Sequence, residues 1–192
     1  MKVGAIVIGI IFLYQITYQT ANPIYPNHFR SGKLFQDVRD GNSYQYIQID
    51  NLYWFAENLR FQTNSSSTWT SEESDMDKCG IFYGVQDAFS VCPDGWRLPT
   101  EKEVEFLIKA DKKKRINIID TLQLKLCGRI DNGQLSKIEL QNTFWIDTKL
   151  IDGNITHWHT FGSKHELHNH NVTNAKRKFP VRCVCEISTQ NN

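Results

Sequence analysis

Residues 92–108 read CPDGWRLPTEKEVEFLI, and almost every position in them is conformationally constrained. In Cys92-Pro93-Asp94-Gly95 the proline presets φ at the second position of a turn, and aspartate and glycine suit the positions after it. The chain is expected to reverse here. Leu98 precedes Pro99, whose ring disfavours helical backbone at the residue before it, so Leu98 should be extended. Thr100 and Glu103 stand in the Thr-x-x-Glu spacing of a capping box, where each side chain satisfies a free amide at a helix start. Val104, Leu107 and Ile108 then give a helix over 101–109 one apolar face. A turn, an extended Leu-Pro and a capped helix behind a cysteine make a structural clasp, and no nucleophile in it stands beside a base.

Upstream of the clasp, SYQYIQIDNLYWFAEN (43–58) alternates apolar and polar residues on both sides of Asp50-Asn51. This predicts a hairpin with strands at 44–49 and 52–56. Residues 61–77 are polar and without a period, an exposed loop, while Phe82, Val85 and Phe89 predict a first helix over 82–91. Beyond Ile116 the pattern becomes strand-like, in pieces at 124–130, 142–147, 155–161 and 179–187, separated by Asp-Asn-Gly at 131–133 and Asp-Gly-Asn at 152–154. GSKHELHNHNVTNAKRK (162–178) is polar and reads as a long loop. Strands, two helices and strands again predict an α+β domain with antiparallel sheet, whose terminal segments come together.

At 192 residues and 40% hydrophobic content the chain can bury one core, which makes it one domain. A net charge of +1 offers no electrostatic footprint for nucleic acid. The basic runs Lys112–Arg115 and Lys176–Lys178 are short and read as solvated surface. Residues 1–21 carry one lysine, an apolar run from Val3 to Tyr14 and a polar stretch ending in Ala21, a secretion signal in outline. The run is shorter than the ~20 residues that span a bilayer, so a cleaved leader is expected, with an uncleaved N-terminal anchor as the alternative. Residues 22–34 follow as a linker and 188–192 as a tail. The expected location is secreted or cell envelope, in the periplasm or on the outer surface. Of the five cysteines, Cys79, Cys92, Cys127, Cys183 and Cys185, none forms a Cys-x-x-Cys pair, so disulfides are expected with one cysteine left over.

Several segments in order carry a resemblance. FQDVRDGNSYQYIQIDNLYWFAENLRF (35–61), CGIFYGVQDAFSVCPDGWRLPTEKEVEFL (79–107), LCGRIDNG (126–133), NTFWIDT (142–148) and FPVRCVC (179–185) resemble the Fibrobacter succinogenes major paralogous domain, over a region taken as 35–187. The most specific pieces are Asp40-Gly41-Asn42-x-Tyr44, Ala56-Glu57-Asn58-Leu59, Cys92-Pro93-x-Gly95-Trp96-x-Leu98-Pro99 and Val181-Arg182-Cys183-Val184. The resemblance implies a C-type-lectin-like fold: two helices, antiparallel sheet, long loops and a disulfide from the end of the first helix to the final strand. Cys92 and Cys183 fit that bridge, and it would set Trp96 as the clasp's apolar wedge. The family's usual mate for Cys79 is missing, which leaves Cys127 and Cys185 as candidates.

The resemblance also bears on function. The Glu-Pro-Asn or Gln-Pro-Asp loop and the Trp-Asn-Asp strand of calcium-dependent lectins are absent, so no calcium site is expected; the nearest piece is Phe144-Trp145-Ile146-Asp147. Trp145 reads first as core, and with Asp147 and Trp158 it marks the candidate ligand surface between Trp145 and Lys178. The formylglycine-generating enzymes share a related fold, but their chemistry needs a reactive cysteine pair, and here Cys92 and Cys183 are assigned to a bridge. No catalytic residues are expected. His157, His159, His165, His168 and His170 lie close together in HWHTFGSKHELHNH, and imidazoles at this density suit zinc or copper. The reading is a secreted or surface binding and adhesion module for polysaccharide or a surface protein. The alternatives are a structural surface protein binding another protein, or a metal-binding module.

Overall fold

The computed structural model describes residues 33–68, 79–147, 154–161, 164–171 and 176–187, with 154–161 and 164–171 described by their backbone. In chain order the elements are β1 (Leu34–Gln36), β2 (Ser43–Ile49), β3 (Leu52–Phe55), β4 (Phe82–Tyr83), α1 (Val85–Ala88), α2 (Glu101–Lys112) and α3 (Ile118–Thr121). They continue with β5 (Arg129–Asp131), β6 (Gln134–Ser136), β7 (Gln141–Trp145), β8 (Asn154–Phe161), β9 (Lys164–Asn171), β10 (Arg177–Pro180) and β11 (Val184–Glu186). The strands form three antiparallel sheets among the described residues, ordered β1-β2-β3-β11, β4-β10-β5-β6 and β7-β8-β9. This is a mixed fold of few helices, antiparallel sheet and two disulfides.

The hairpin turns where its sequence pattern places it. Asp50 adopts φ 56° and Ile49 pairs with Leu52, so the two-residue connection takes the left-handed backbone that aspartate tolerates. The terminal segments meet because β11 adds to β3, with Val184 opposite Trp54. The clasp reverses one residue later than expected: Trp96 N–H donates to Pro93 O at 2.9 Å, so Pro93 opens the turn rather than filling its second position, and Thr100 and Glu103 form a reciprocal capping box. Helix α2 extends three residues past the expected end and buries Val104, Leu107 and Ala110. Arg97 then exchanges backbone hydrogen bonds of 2.9 and 2.8 Å with Val184, and Cys92 is bonded to Cys183, so the clasp holds the last strand at two points. The Trp96 ring packs 4.2 Å from Phe55 and 5.3 Å from Phe35.

Four expectations are corrected. The helix over 82–91 shrinks to α1, because Phe82 and Tyr83 form β4 against β10 and Gly84, extended at φ −68° and ψ 165°, starts the helix afresh. The strand expected at 124–130 is confined to β5, preceded by α3, whose cap is the Asn117 side chain accepting from Asp120 N. The loop expected over 162–178 contains β9, an eight-residue partner of β8, and the first residues of β10. The basic run Lys176–Lys178 is accordingly not all solvated: Arg177 pairs with Asp131 at 3.1 Å, and Lys178 donates to Ser67 Oγ at 2.8 Å and to Ser65 O.

Two apolar clusters fill the interior, and β3 and β7 serve both. Phe55 and Trp145 belong to one, with Tyr44, Leu59 and Phe179, whereas Trp54 and Phe144 belong to the other, with Val104, Leu107 and Ile118. All five residues of β7 are buried. A third, small cluster surrounds Cys79 and Cys127, which are joined by a disulfide. Gly128 follows Cys127 at φ 68°, and a β-carbon there would meet Ile138 N at 2.9 Å and collide with Ser136 O. Only glycine fits that crossing.

Candidate functional site

The family-like motifs converge on a buried junction. Asn58 leaves β3 with Leu59, whose amide donates to Val181 O at 2.8 Å, while Phe55 N–H donates to Cys183 O at 3.0 Å. This backbone pairing sets Asn58 beside Arg182. The Arg182 guanidinium, 1% exposed, donates to Asn58 Oδ1 at 2.9 and 3.3 Å, to Phe55 O at 3.3 Å and to Leu122 O. Asn58 Nδ2 in turn donates to Cys79 O at 2.9 Å. Burial pushes the Arg182 pKa down to about 9, against the pull of the Glu57 charge, so the group stays cationic at neutral pH. Three carbonyl oxygens solvate it from strand, helix end and side-chain amide. The junction is enclosed, and its chemistry is cohesion. Sequence reading saw these motifs as markers of a fold and missed the ion that joins them; an arginine between Val181 and Cys183, in an otherwise apolar run, is the signal that was available.

The residues proposed for ligand contact are separated by the fold. Trp145 is 2% exposed, donates from Nε1 to Tyr83 O at 2.7 Å and lies edge-on to Phe179, so it is core and offers no face to a ligand. Asp147 is exposed, with its backbone fixed to the clasp by a 2.7 Å hydrogen bond to Pro99 O. Trp158 lies on β8, opposite Phe144 on one side and Leu167 on the other.

The β8–β9 register sorts the histidines. Cross-strand partners lie on the same side of an antiparallel pair, and alternate positions on opposite sides. His157 is opposite His168, His159 opposite Glu166, and Ile155 opposite His170, so these positions share one face. Trp158–Leu167, Thr160–His165 and Thr156–Asn169 occupy the other. His165 is therefore divided from the four histidines with which the sequence groups it.

A cleft of about 160 Å³ lies where the β2–β3 turn meets α2, lined by the apolar Ile49, Leu52, Trp54, Phe106 and Leu107 and by the polar Asp50, Asn51, Lys102 and Glu103. Beside it, Arg97 forks onto Glu103 at 2.7 and 3.0 Å and reaches Glu186 at 3.4 Å. Cys185 is the remaining thiol, half-buried on β11, and burial pushes its pKa up. Among the residues whose side chains are described no group of three metal-ligating side chains converges, and among the described residues no helix is long and apolar enough to cross a membrane. Comparison of the chain with family models, with curated proteins and with solved structures finds no match in any of the three.

Proposed function

We propose that the chain is an exported, non-enzymatic binding module of C-type-lectin-like fold that recognises polysaccharide without a calcium site. The observation that carries this reading is the sheet register, which sets Trp158 between Phe144 and Leu167 and places Thr156, Thr160, His165 and Asn169 at the neighbouring positions of the same face. An aromatic position sharing a face with hydroxyl, amide and imidazole positions carries the chemistry that packs on a sugar ring and hydrogen-bonds its hydroxyls. The hairpin joins the buried strand β7, which the two-disulfide core holds in place. Disulfides persist in oxidising compartments, which supports a secreted or cell-envelope location.

The test is a glycan and cell-wall polysaccharide panel, run with and without chelator on the parent chain and on Trp158→Ala. Binding of at least one polysaccharide, unaffected by chelator and lost in the variant, is the expected result. A blank panel overturns the glycan reading and leaves a surface protein as the partner class. Binding that survives Trp158→Ala overturns the assignment of the face.

A further inference from the structure

The histidines of the hairpin stand in register across its two strands. We infer that the hairpin face on which the register places His157, His159, His168 and Glu166, with His170 at its border, is a transition-metal site. The inference is independent of the polysaccharide reading, which concerns the opposite face.

The argument runs from register to coordination. His157 and His168 are direct cross-strand partners, as are His159 and Glu166. Partners across an antiparallel pair have β-carbons roughly 4.5–5.5 Å apart, and positions two residues apart on one strand are separated by about 6.5–7 Å. Three imidazole positions and one carboxylate position thus mark the corners of a rectangle of about 5 by 7 Å. Imidazole nitrogens coordinate at about 2.0–2.1 Å in tetrahedral zinc sites, and a rectangle of backbone positions on this scale is compatible with one such centre. The donor set selects the metal: three imidazoles with one carboxylate suit zinc, copper or nickel, whereas magnesium and calcium take oxygen ligands. The neighbouring strand adds no competitor. On β7 the positions opposite His157 and His159 are Trp145 and Thr143, whose side chains already donate to Tyr83 O and Gly128 O. A loop would have to order these ligands at the moment of binding; a paired hairpin has ordered their backbone beforehand.

The test uses the purified chain, stripped with chelator and dialysed. Titration with zinc sulfate should show one ion per chain, and cobalt chloride should give the visible absorption of a tetrahedral centre. With zinc at about a hundredfold over its dissociation constant the melting midpoint should rise by roughly 5–10 °C. His157→Gln and His168→Gln should each abolish the cobalt bands, while His165→Gln, on the other face, should bind as the parent does. If a variant fails to fold, acylation of histidine in the parent gives the same answer peptide by peptide. Zinc should protect His157 and His168 and leave His165 reactive. Absence of stoichiometric binding, loss in His165→Gln equal to that in His168→Gln, or equal protection of all the histidines overturns the inference.

Discussion

Arg182 to methionine is the substitution that most directly probes what holds this fold together. The side chain keeps its length and apolar stem but loses the cation that donates to Asn58 Oδ1, Phe55 O and Leu122 O. Three acceptors left without this donor at about 1–3 kcal/mol each come to roughly 3–9 kcal/mol. Removing a desolvated cation returns several kcal/mol of that, which leaves a net loss of about 3 kcal/mol. For a domain of this size the melting midpoint should fall by roughly 6–12 °C, measured by circular dichroism at neutral pH. Arg182→Lys should be almost as damaging, because a single ammonium cannot reach three carbonyls that a planar fork spans. The decisive form is a cycle with Asn58→Ala, which removes the acceptor bonded at 2.9 Å. Groups in direct contact should couple by about 1 kcal/mol or more, so the double variant should be less damaged than the sum of the singles. Melting of Arg182→Met within 2 °C of the parent, or strict additivity with Asn58→Ala, would refute the junction.

Replacing Cys92 and Cys183 by serine opens a loop with a sequence separation of 91, which loop-closure entropy values at about 4.6 kcal/mol, measurable by urea unfolding. Non-reducing peptide mapping should return Cys92–Cys183 and Cys79–Cys127 as linked pairs and Cys185 as an alkylated thiol; a Cys79–Cys185 peptide would contradict the third cluster. Burial pushes the Glu103 carboxyl up, but hydrogen bonds from Arg97 and from the Thr100 amide outweigh it and hold its pKa below the ordinary glutamate value. Its folded pKa being the lower one, its stabilisation is complete above the unfolded value of about 4.3 and is lost as pH falls through the folded one. Glu103→Gln should therefore flatten the acid limb of the stability curve, and an unchanged limb between pH 5 and 3 would remove Glu103 from the account. Gly128→Ala forces a β-carbon onto the Ser136 carbonyl at positive φ and should lower the melting midpoint by several degrees, read in the same thermal melt.

The parts of the fold that are legible in the sequence are those whose signals are local. A turn at a proline and a capping box are each determined within four residues, and both form within 92–103, the turn one residue later than its residues suggested. The Asp50-Asn51 hairpin belongs to the same class, because alternation on both sides and the turn agree. Phe82 to Val91 failed for a different reason. Aromatic residues at helical spacing are also what a buried two-residue strand and a short helix present in succession, and the decision lies with β10, almost a hundred residues away. Trp145 shows the limit for sites: a tryptophan two residues before an aspartate has the composition of a ligand surface, and only the position of Tyr83 O reveals that its indole N–H is already used.

Strand β9 was missed, although its partner β8 was expected, because hydropathy is the wrong property in which to look for it. In KHELHNHN only Leu167 is apolar, so the sequence has no apolar alternation to read, yet it pairs with β8 over eight consecutive positions. Its period of two is written in histidine instead: His168 and His170 on one strand, His157 and His159 on the other. A polar strand at a sheet edge contributes little apolar burial of its own, so its backbone ladder must be supported by what its faces hold. Charged residues such as Lys164 and Glu166 also discourage an edge strand from pairing with another copy. Registration of imidazole against imidazole, and imidazole against carboxylate, serves no such protective purpose. On one face that arrangement is the one the proposed metal site rests on, and the stabilisation an ion would bring on binding is the kind of support that a polar edge hairpin lacks.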